Sequence, residues 1–414
     1  MTTVQDNPTP EGRTFSIFGS DIVEKPFPIF TQMRAEGPVI PFESPNESSR
    51  RVWAVTRLSE AVQVLKDKRF TMKDPTSFQQ EEQQATDRLV MPRIFSKSMI
   101  AVDDPDHRRL RGLVSKVFTP RYIESLRPHI QMIADELLDR VQDQGNMNLI
   151  EDYAYPLPIN VISDMLGIPL EHRDQMRHWS AALSSYFSGS GSGSEKHLEH
   201  VQGFFSYVKE LIEEKKRAPQ NDLMSQLIQI EQEGEALNEQ ELLSTAGLLI
   251  FAGHETTSNL IGTGTLMLLD YPDQMQRLKA DLSLVPSAVE ELLRFNGPAF
   301  ATLPRFATAD IELGGQAIRH GDAIIALLGS ANHDESQFTD PESLDIARSL
   351  NRHIAFGQGV HVCIGAPLAR LEGEIAFTTL LNRMPNLRLN IPREAVTWQG
   401  DYRSHRLTSL PVVF

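Results

Sequence analysis

The sequence of 414 residues contains a single cysteine, Cys363. One thiol excludes an intramolecular disulfide and any zinc site that is built from several cysteines. The sequence also lacks an N-terminal apolar run behind a basic segment, and it lacks an uncharged stretch of about 18 apolar residues, the shortest that spans a bilayer. We therefore expect a soluble, cytoplasmic protein without a membrane span.

Positive charge is also scarce, with 40 Lys and Arg against 55 Asp and Glu and a net charge of −15. Nucleic-acid binding depends on basic surface that neutralises phosphates, so we expect no nucleic-acid partner. Hydrophobic residues make up 40% of the chain and charged residues 23%, which is typical of a soluble protein with a large core.

Strand-like segments are few and short, as in "RVWAVT" and "DAIIALL", whereas apolar residues at helical spacing recur throughout the chain. This pattern predicts a mainly α protein with small β-sheets and not a doubly wound fold, in which strands and helices alternate. Residues 1–13 are rich in Pro, Gly and polar residues, which predicts a flexible N-terminal segment. The run "SGSGSGS", Ser188 to Ser194, has the composition of a flexible linker, and whether it is a lid hinge or an engineered insertion stays open.

The lone cysteine lies between glycines in "HIAFGQGVHVCIGAPLAR", where a turn enters a helix. Exposed N–H groups and the positive end of the helix dipole stabilise a thiolate there, as a nucleophile or as a metal ligand. A nucleophile needs an adjacent base, but His361 points elsewhere if this stretch is extended. A single thiolate suits a metal whose other positions are already filled, which indicates haem iron.

This stretch resembles the haem-ligand signature of the cytochrome P450 family, the haem-thiolate monooxygenases. The resemblance implies one catalytic domain at 14–414, an α-rich triangular prism with haem b (iron protoporphyrin IX) between a long central helix and the cysteine-loop helix. It also implies that Cys363 is the iron ligand and that the surrounding loop holds the cofactor. The matching residues are Phe356, Gly357, Gly359, His361, Cys363 and Gly365.

A second motif, "AGHETT", interrupts the long apolar segment "EQELLSTAGLLIFAGHETTSNLIGTGTLMLLD". By itself it could be a polar kink packed against another helix. It resembles the family's oxygen-activation motif, and this implies that Ala252 and Gly253 leave room for dioxygen. Glu255 and Thr256 would then pass protons, through water, to the distal oxygen. His254 occupies a position that the family leaves variable.

Glu291 and Arg294 lie three residues apart on one helical face in "AVEELLRFNGP". In the family this pair is buried and braces the cysteine loop, and it needs a third partner to complete its hydrogen bonds. The family usually supplies that partner from a sequence like "DPDRFDxxR", but this chain has "DPESLDIAR". We expect Arg348 or Arg352 to compensate.

Cations in three segments are candidates for holding the two haem propionates, because arginine clamps carboxylates well. By resemblance these are His107 and Arg111, four apart on one helix, with Arg305 and His361. Arg108, Arg109 and Lys116 make the same helix strongly basic, although a solvated basic face would give the same pattern. We expect an acidic ferredoxin, reduced by an NAD(P)H-dependent reductase, to dock there.

The resemblance implies a monomeric enzyme that inserts one oxygen atom of O2 into a hydrophobic small molecule, by hydroxylation or epoxidation. A peroxide-driven peroxygenase, a non-oxidative haem-thiolate enzyme and a haem-free binding protein are the alternatives. Helical spacing and the family pattern suggest the residues that line the substrate pocket, most of them apolar or small. They are Thr245, Leu248, Leu249, Ala299, Phe300, Thr302, Leu407 and Thr408.

Overall fold

The computed structural model describes residues 20–42, 50–76, 95–188, 195–232 and 237–414. The predicted flexible segment at 1–13 lies outside these ranges, and so does the serine–glycine run after Ser188.

Helices dominate the described chain, which confirms the prediction of a mainly α protein with small sheets. The α-helices are α1 (Ser20–Glu24), α2 (Pro26–Glu36), α3 (Leu58–Lys66), α4 (Asp106–Val117), α5 (Pro120–Ser125), α6 (Arg127–Gln142), α7 (Pro156–Leu166), α8 (Arg173–Ser188), α9 (Glu195–Arg217), α10 (Leu223–Gln232), α11 (Glu239–Asp270), α12 (Pro272–Ala280), α13 (Val285–Asn296), α14 (Leu328–Ala331) and α15 (Ala366–Arg383).

The strands are short and form four small sheets within the described residues. They are β1 (Val39–Phe42), β2 (Val52–Val55), β3 (Phe70–Thr71), β4 (Asn146–Asn148), β5 (Arg305–Ala307), β6 (Ile311–Leu313), β7 (Gln316–Ile318), β8 (Ala323–Ala326), β9 (Arg388–Leu389), β10 (Trp398–Asp401), β11 (Ser404–Leu407) and β12 (Pro411–Val413). The largest sheet has the order β1-β2-β8-β5-β3, with β2 and β8 parallel and the other pairs antiparallel. The strands β10 and β11 form an antiparallel hairpin.

Both faces of the β2–β8 pair are buried, as expected for parallel strands covered on two sides. Trp53 and Ile324 pack into one apolar cluster, whereas the alternate residues Ala54 and Ile325 pack into another on the opposite face. The main core is larger and lies among the helices around α11. The sheet therefore flanks a helical body that surrounds the central helix.

The central helix α11 has 32 residues and a rise of about 1.5 Å per residue, so it extends through the whole helical body. Its start is fixed by a capping box, in which Asn238 Oδ1 accepts from the backbone N–H of Glu241 and Glu241 Oε2 accepts from the backbone N–H of Asn238, both at 3.0 Å. The helix ends at Asp270, just before Pro272 starts α12.

None of the described helices combines the length and the apolar character that a membrane span requires.

Candidate active site

A cavity of about 940 Å³ lies between α11 and the cysteine loop, the name used here for residues 355–365 that lead into α15. The β10–β11 hairpin and the segment 298–305 complete its walls. Its volume is in the upper part of the range that ligand pockets occupy.

The cysteine loop is shaped by two glycines in the left-handed region, Gly357 at φ 69° and Gly359 at φ 73°. A Cβ on Gly359 would lie 2.2 Å from the carbonyl oxygen of Leu65, so only glycine allows the loop to pack this closely on α3. The backbone N–H of Cys363 donates to the Phe356 carbonyl at 2.9 Å, which closes the turn. The loop thereby presents the Cys363 thiol to the cavity.

The Cys363 thiol is exposed to the cavity, although protein surrounds it closely. Burial raises the pKa of the thiol, whereas backbone N–H groups of Gly365 and Ala366 and the Arg111 guanidinium favour the thiolate. The backbone donors at the start of α15 that the sequence predicted are therefore present, but they lower the pKa of the thiol by less than burial raises it. Binding of a cation or metal at the sulfur would supply the missing stabilisation.

Four candidate cations from separate segments converge on this part of the cavity: His107 and Arg111 of α4, Arg305 of β5 and His361 of the cysteine loop. The imidazole rings of His107 and His361 lie 4.2 Å apart, centroid to centroid. Burial and the nearby Arg305 lower the pKa of His361 to about 3, and burial likewise lowers the pKa of His107. Both rings are therefore neutral hydrogen-bonding groups near pH 7.

The two arginines of this cluster have no carboxylate partner among the described residues. Arg305 donates only a long hydrogen bond of 3.4 Å to the carbonyl oxygen of Phe70. Burial lowers the pKa of both Arg305 and Arg111. Buried guanidinium groups without a carboxylate are costly, so this cluster suits a ligand that brings its own anionic groups.

The motif on α11 faces the cavity with Ala252, Glu255 and Thr256, and the Thr256 hydroxyl donates to the Ala252 carbonyl at 3.2 Å. Gly253 also lines the cavity, but a Cβ there would lie 2.9 Å from Ile162, so the glycine is needed for packing on α7. His254 points into the core, where it is fully buried and its Nδ1 lies 2.8 Å from the Ile250 carbonyl.

Glu255 forms an ion pair with Arg406 of β11, a partner that the sequence analysis missed. The Glu255 side chain is 22% exposed and the Arg406 side chain is 24% exposed. Strand alternation explains the contact, because Ser404 and Arg406 face the cavity while His405 and Leu407 face the core. The only signal in the sequence is this alternation in "SHRL".

The Glu291–Arg294 pair is completely buried, with two hydrogen bonds of 2.8 Å between the side chains. Arg348 supplies the third partner, since its Nε lies 3.0 Å from Glu291 Oε2, and Asn351 adds an amide hydrogen bond of 3.0 Å. Arg294 also donates to backbone carbonyls, including that of Asn332 at 3.0 Å. The altered sequence "DPESLDIAR" thus still provides the brace through Arg348.

Four of the predicted pocket residues line the cavity, namely Leu248, Leu249, Ala299 and Thr302. The other four do not. Phe300 packs edge-on against Phe30 in the core beside the sheet, Leu407 is buried in the main core, Thr408 is exposed, and Thr245 is buried within the helical body. For Phe300 and Leu407, the extended backbone turns alternate side chains away from the cavity.

Glu372 of α15 is a further cavity residue that the sequence did not reveal. It is fully buried, and neither carboxyl oxygen has good hydrogen-bond geometry with a partner in the described ranges. Burial raises the pKa of Glu372 to about 8, although the Thr257 hydroxyl acts weakly in the opposite direction. The carboxyl group is therefore protonated at neutral pH.

The basic character of α4 is less uniform than its sequence suggests. Arg108 is exposed, but Arg109 binds Glu241 with Nη2–Oε1 2.5 Å, and Arg111 faces the cavity. Glu241 therefore both caps α11 and holds α4.

Comparison with known proteins places this geometry in context. The family model "Cytochrome P450" matches residues 52–388. Cytochrome P450 CYP107DY1 of Priestia megaterium is 45% identical over 370 residues, covering 87% of this chain and 89% of that protein. The cytochrome P450 monooxygenase PikC of Streptomyces venezuelae is 37% identical, covering 95% and 92%. Among solved structures, the myxobacterial cytochrome P450 CYP267B1 in complex with myristic acid superposes with a TM-score of 0.88 at 39% identity, covering 96% and 98%.

Proposed function

This chain belongs to the cytochrome P450 family of monooxygenases, which are oxidoreductases, and we propose from this premise that it hydroxylates or epoxidises a hydrophobic small molecule with O2. The observation that carries the proposal is the position of one thiol, Cys363, at one side of a large cavity beside Arg111 and Arg305, two guanidinium groups with no carboxylate partner among the described residues. The single catalytic domain at 14–414 is part of this proposal.

The family implies a haem cofactor, and the residues of the site fit one. We assign haem b: Cys363 would be the iron ligand, and His107, Arg111, Arg305 and His361 would bind the propionates. The fit rests on charge, because the guanidinium groups of Arg111 and Arg305, which have no carboxylate partner in the described part of the chain, match the two carboxylates of this group. Thiolate-ligated haem supplies the electron-rich iron that activates dioxygen.

Side chains of α11 would manage protons at the oxygen-binding side of the cavity. The Thr256 hydroxyl is held by the Ala252 carbonyl and can pass on a proton that it receives from water. Glu255 is the nearby acid of the same helix face, and Glu372 holds a further proton near neutral pH. The absence of a side chain at Gly253 lets α11 pack closely against Ile162 of α7.

The substrate would be largely apolar. Most of the cavity wall away from the cation cluster consists of aliphatic and aromatic residues, among them Phe95, Met99, Ile162, Leu248 and Leu249. The structural neighbour that was solved with myristic acid supports a hydrophobic ligand. Such a wall also excludes water from the reacting atoms.

Electrons would come from a separate acidic ferredoxin and its NAD(P)H-dependent reductase, since the family uses a redox partner. We propose that the ferredoxin docks at α4, where Arg108 remains 77% exposed. The second-order rate of reduction should fall as ionic strength rises. Arg108→Gln should weaken this dependence, whereas Arg319→Gln, at an exposed arginine directly after β7, should not. A rate that is independent of salt in the wild type would refute this docking mode.

The core of the proposal is tested by a spectrum of the haem-loaded protein, reduced and exposed to carbon monoxide. A strongly red-shifted Soret peak is expected, and Cys363→Ser should abolish it while haem stays bound. A normal Soret position in the wild type would remove the proposed function. Product formation with ferredoxin, reductase and NAD(P)H, but not with hydrogen peroxide alone, would separate the monooxygenase from a peroxygenase.

A further inference from the structure

The Arg406–Glu255 ion pair crosses the cavity from the β10–β11 hairpin to α11. Arg406 Nη1 contacts Glu255 Oε1, and both side chains are among those that line the cavity. Apart from the cluster beside Cys363, the described cavity wall is mainly apolar, so the cation Arg406 is unexpected there, and the proposed function does not use it.

The remaining cations of the cavity wall are committed elsewhere. Arg403 of the same hairpin binds Asp401, with Nη2–Oδ2 2.7 Å and Nε–Oδ2 3.1 Å. His107, Arg111, Arg305 and His361 belong to the cluster beside Cys363. Among the described residues of the wall, Arg406 is thus the cation that a ligand bound against α11 would meet.

The charge balance of the pair restricts what can replace it. An apolar ligand that displaced Glu255 would leave Arg406 unpaired beside hydrocarbon, and the loss of both water and counterion around this charge costs free energy. Exchanging one carboxylate for another keeps the charge-assisted hydrogen bonds of Arg406 and only releases Glu255 to water. A neutral apolar ligand would leave the ion pair in place.

Other acidic side chains of the wall do not oppose such an exchange. Asp401 is neutralised by Arg403, and the carboxyl group of Glu372 is protonated near neutral pH. Glu24 also borders the cavity but belongs to the exposed surface of α1.

We propose that Arg406 binds the carboxylate of an aliphatic carboxylic acid, which replaces Glu255 as its partner while the hydrocarbon chain lies on the apolar wall. This inference rests on the proposed function and names its substrate class. It also gives the released Glu255 carboxylate access to water beside Thr256, where the proton relay is proposed.

The test compares straight-chain acids of 12, 14 and 16 carbons with their methyl esters as ligands of the haem-loaded protein. Affinities are measured by the spin-state shift of the Soret band and, independently of the haem spectrum, by titration calorimetry. The wild type should bind at least one acid about 10- to 100-fold more tightly than its ester, the effect expected of a hydrogen-bonded ion pair. Equal affinities for acids and esters throughout the series would overturn the proposal.

Four variants then test the exchange. Arg406→Gln should remove the preference for acids and leave ester binding unchanged, and Arg406→Lys should restore part of the preference. Glu255→Gln should strengthen acid binding, because it removes the competing carboxylate. The matched control is Arg393→Gln. It breaks the 2.8 Å ion pair between Arg393 and Asp270, the last residue of α11, and should change the affinity for neither the acids nor the esters.

The outcomes also separate this inference from the proposed function. A preference for acids that survives in Arg406→Gln, or acid binding that weakens in Glu255→Gln, would refute the role of Arg406 even if the carbon monoxide spectrum is as expected. If Arg406→Gln did not fold, the wild-type comparison and Glu255→Gln would still decide. Failure of the carbon monoxide spectrum would instead remove the proposed function.

Discussion

Replacing Glu372 with glutamine should stabilise the protein, and the gain should grow as pH rises. The raised pKa of this buried carboxyl group means that the folded state keeps a proton that the unfolded state releases. Stability is therefore lost as pH increases from 4.5, the ordinary pKa, to about 8, and it is constant above that. Glutamine has nearly the shape of a protonated glutamate but cannot ionise, so it escapes this penalty.

The size of the effect follows from the two pKa values. The pKa of Glu372 is about 3.5 units higher in the folded state, at about 8, than its ordinary value of 4.5. This difference lowers the free energy of unfolding of the wild type by about 4 kcal/mol at pH 8, compared with its value at low pH. At pH 5.5 the same relation gives only about 1 kcal/mol. The side-chain oxygen of glutamine can still accept from the Thr257 hydroxyl, as the acid does, so the substitution loses no favourable interaction of the acid.

The assay is urea unfolding of the haem-loaded wild type and Glu372→Gln at pH 5.5 and pH 8, followed by tryptophan fluorescence. The matched control is Glu374→Gln on the same helix, where the carboxylate is 27% exposed and 3.4 Å from Arg127. That variant should change stability by less than about 1 kcal/mol at either pH. If the difference between wild type and Glu372→Gln were the same at both pH values, the assignment of a neutral buried carboxyl group would be refuted.

Further predictions concern the brace, the core and the acid side of the pH range. Glu291→Gln should lower the free energy of unfolding by about 3–5 kcal/mol, because it leaves Arg294 and Arg348 without their carboxylate partner. Urea unfolding measures this loss, and a loss below about 1 kcal/mol would contradict the prediction. Leu407→Ala should cost about 2–5 kcal/mol without changing ligand affinity, since its side chain is in the core; altered spectral titrations would contradict that placement. His353 and Arg370 hold the pKa of Glu290 at about 2, so Glu290→Gln should lower stability near pH 6 but not near pH 2, as circular dichroism would show.

The sequence was most informative where chemistry depends on residue type and spacing. The cysteine loop, the four cations beside it and the Glu291–Arg294 pair could be located because glycine, cysteine and arginine have few substitutes in such roles. The partner of Glu291 was narrowed only to two arginines, because loop conformation decides which one reaches it. The structure brings Arg348 to the carboxylate.

The sequence was least informative where a side chain's direction depends on strand register. In "SHRLT" the predicted pocket residues were Leu407 and Thr408, whereas the cavity receives Arg406. A one-residue difference in phase exchanges the two faces of a strand, and the sequence of a four-residue strand does not fix that phase. Glu372 was missed for a different reason, since a glutamate on a helix that also carries Arg370 and Glu374 is normally exposed to solvent.

The shared carboxylate of Glu241 has a mechanical consequence. Its Oε2 closes the first turn of α11, and both of its oxygens accept from the guanidinium of Arg109 on α4. An acidic protein that draws Arg109 outward would take this cation from the point where the long helix is anchored. Contacts made by Arg109 at the surface of α4 are therefore linked through one carboxylate to the N-terminal end of α11, the helix that forms one wall of the cavity.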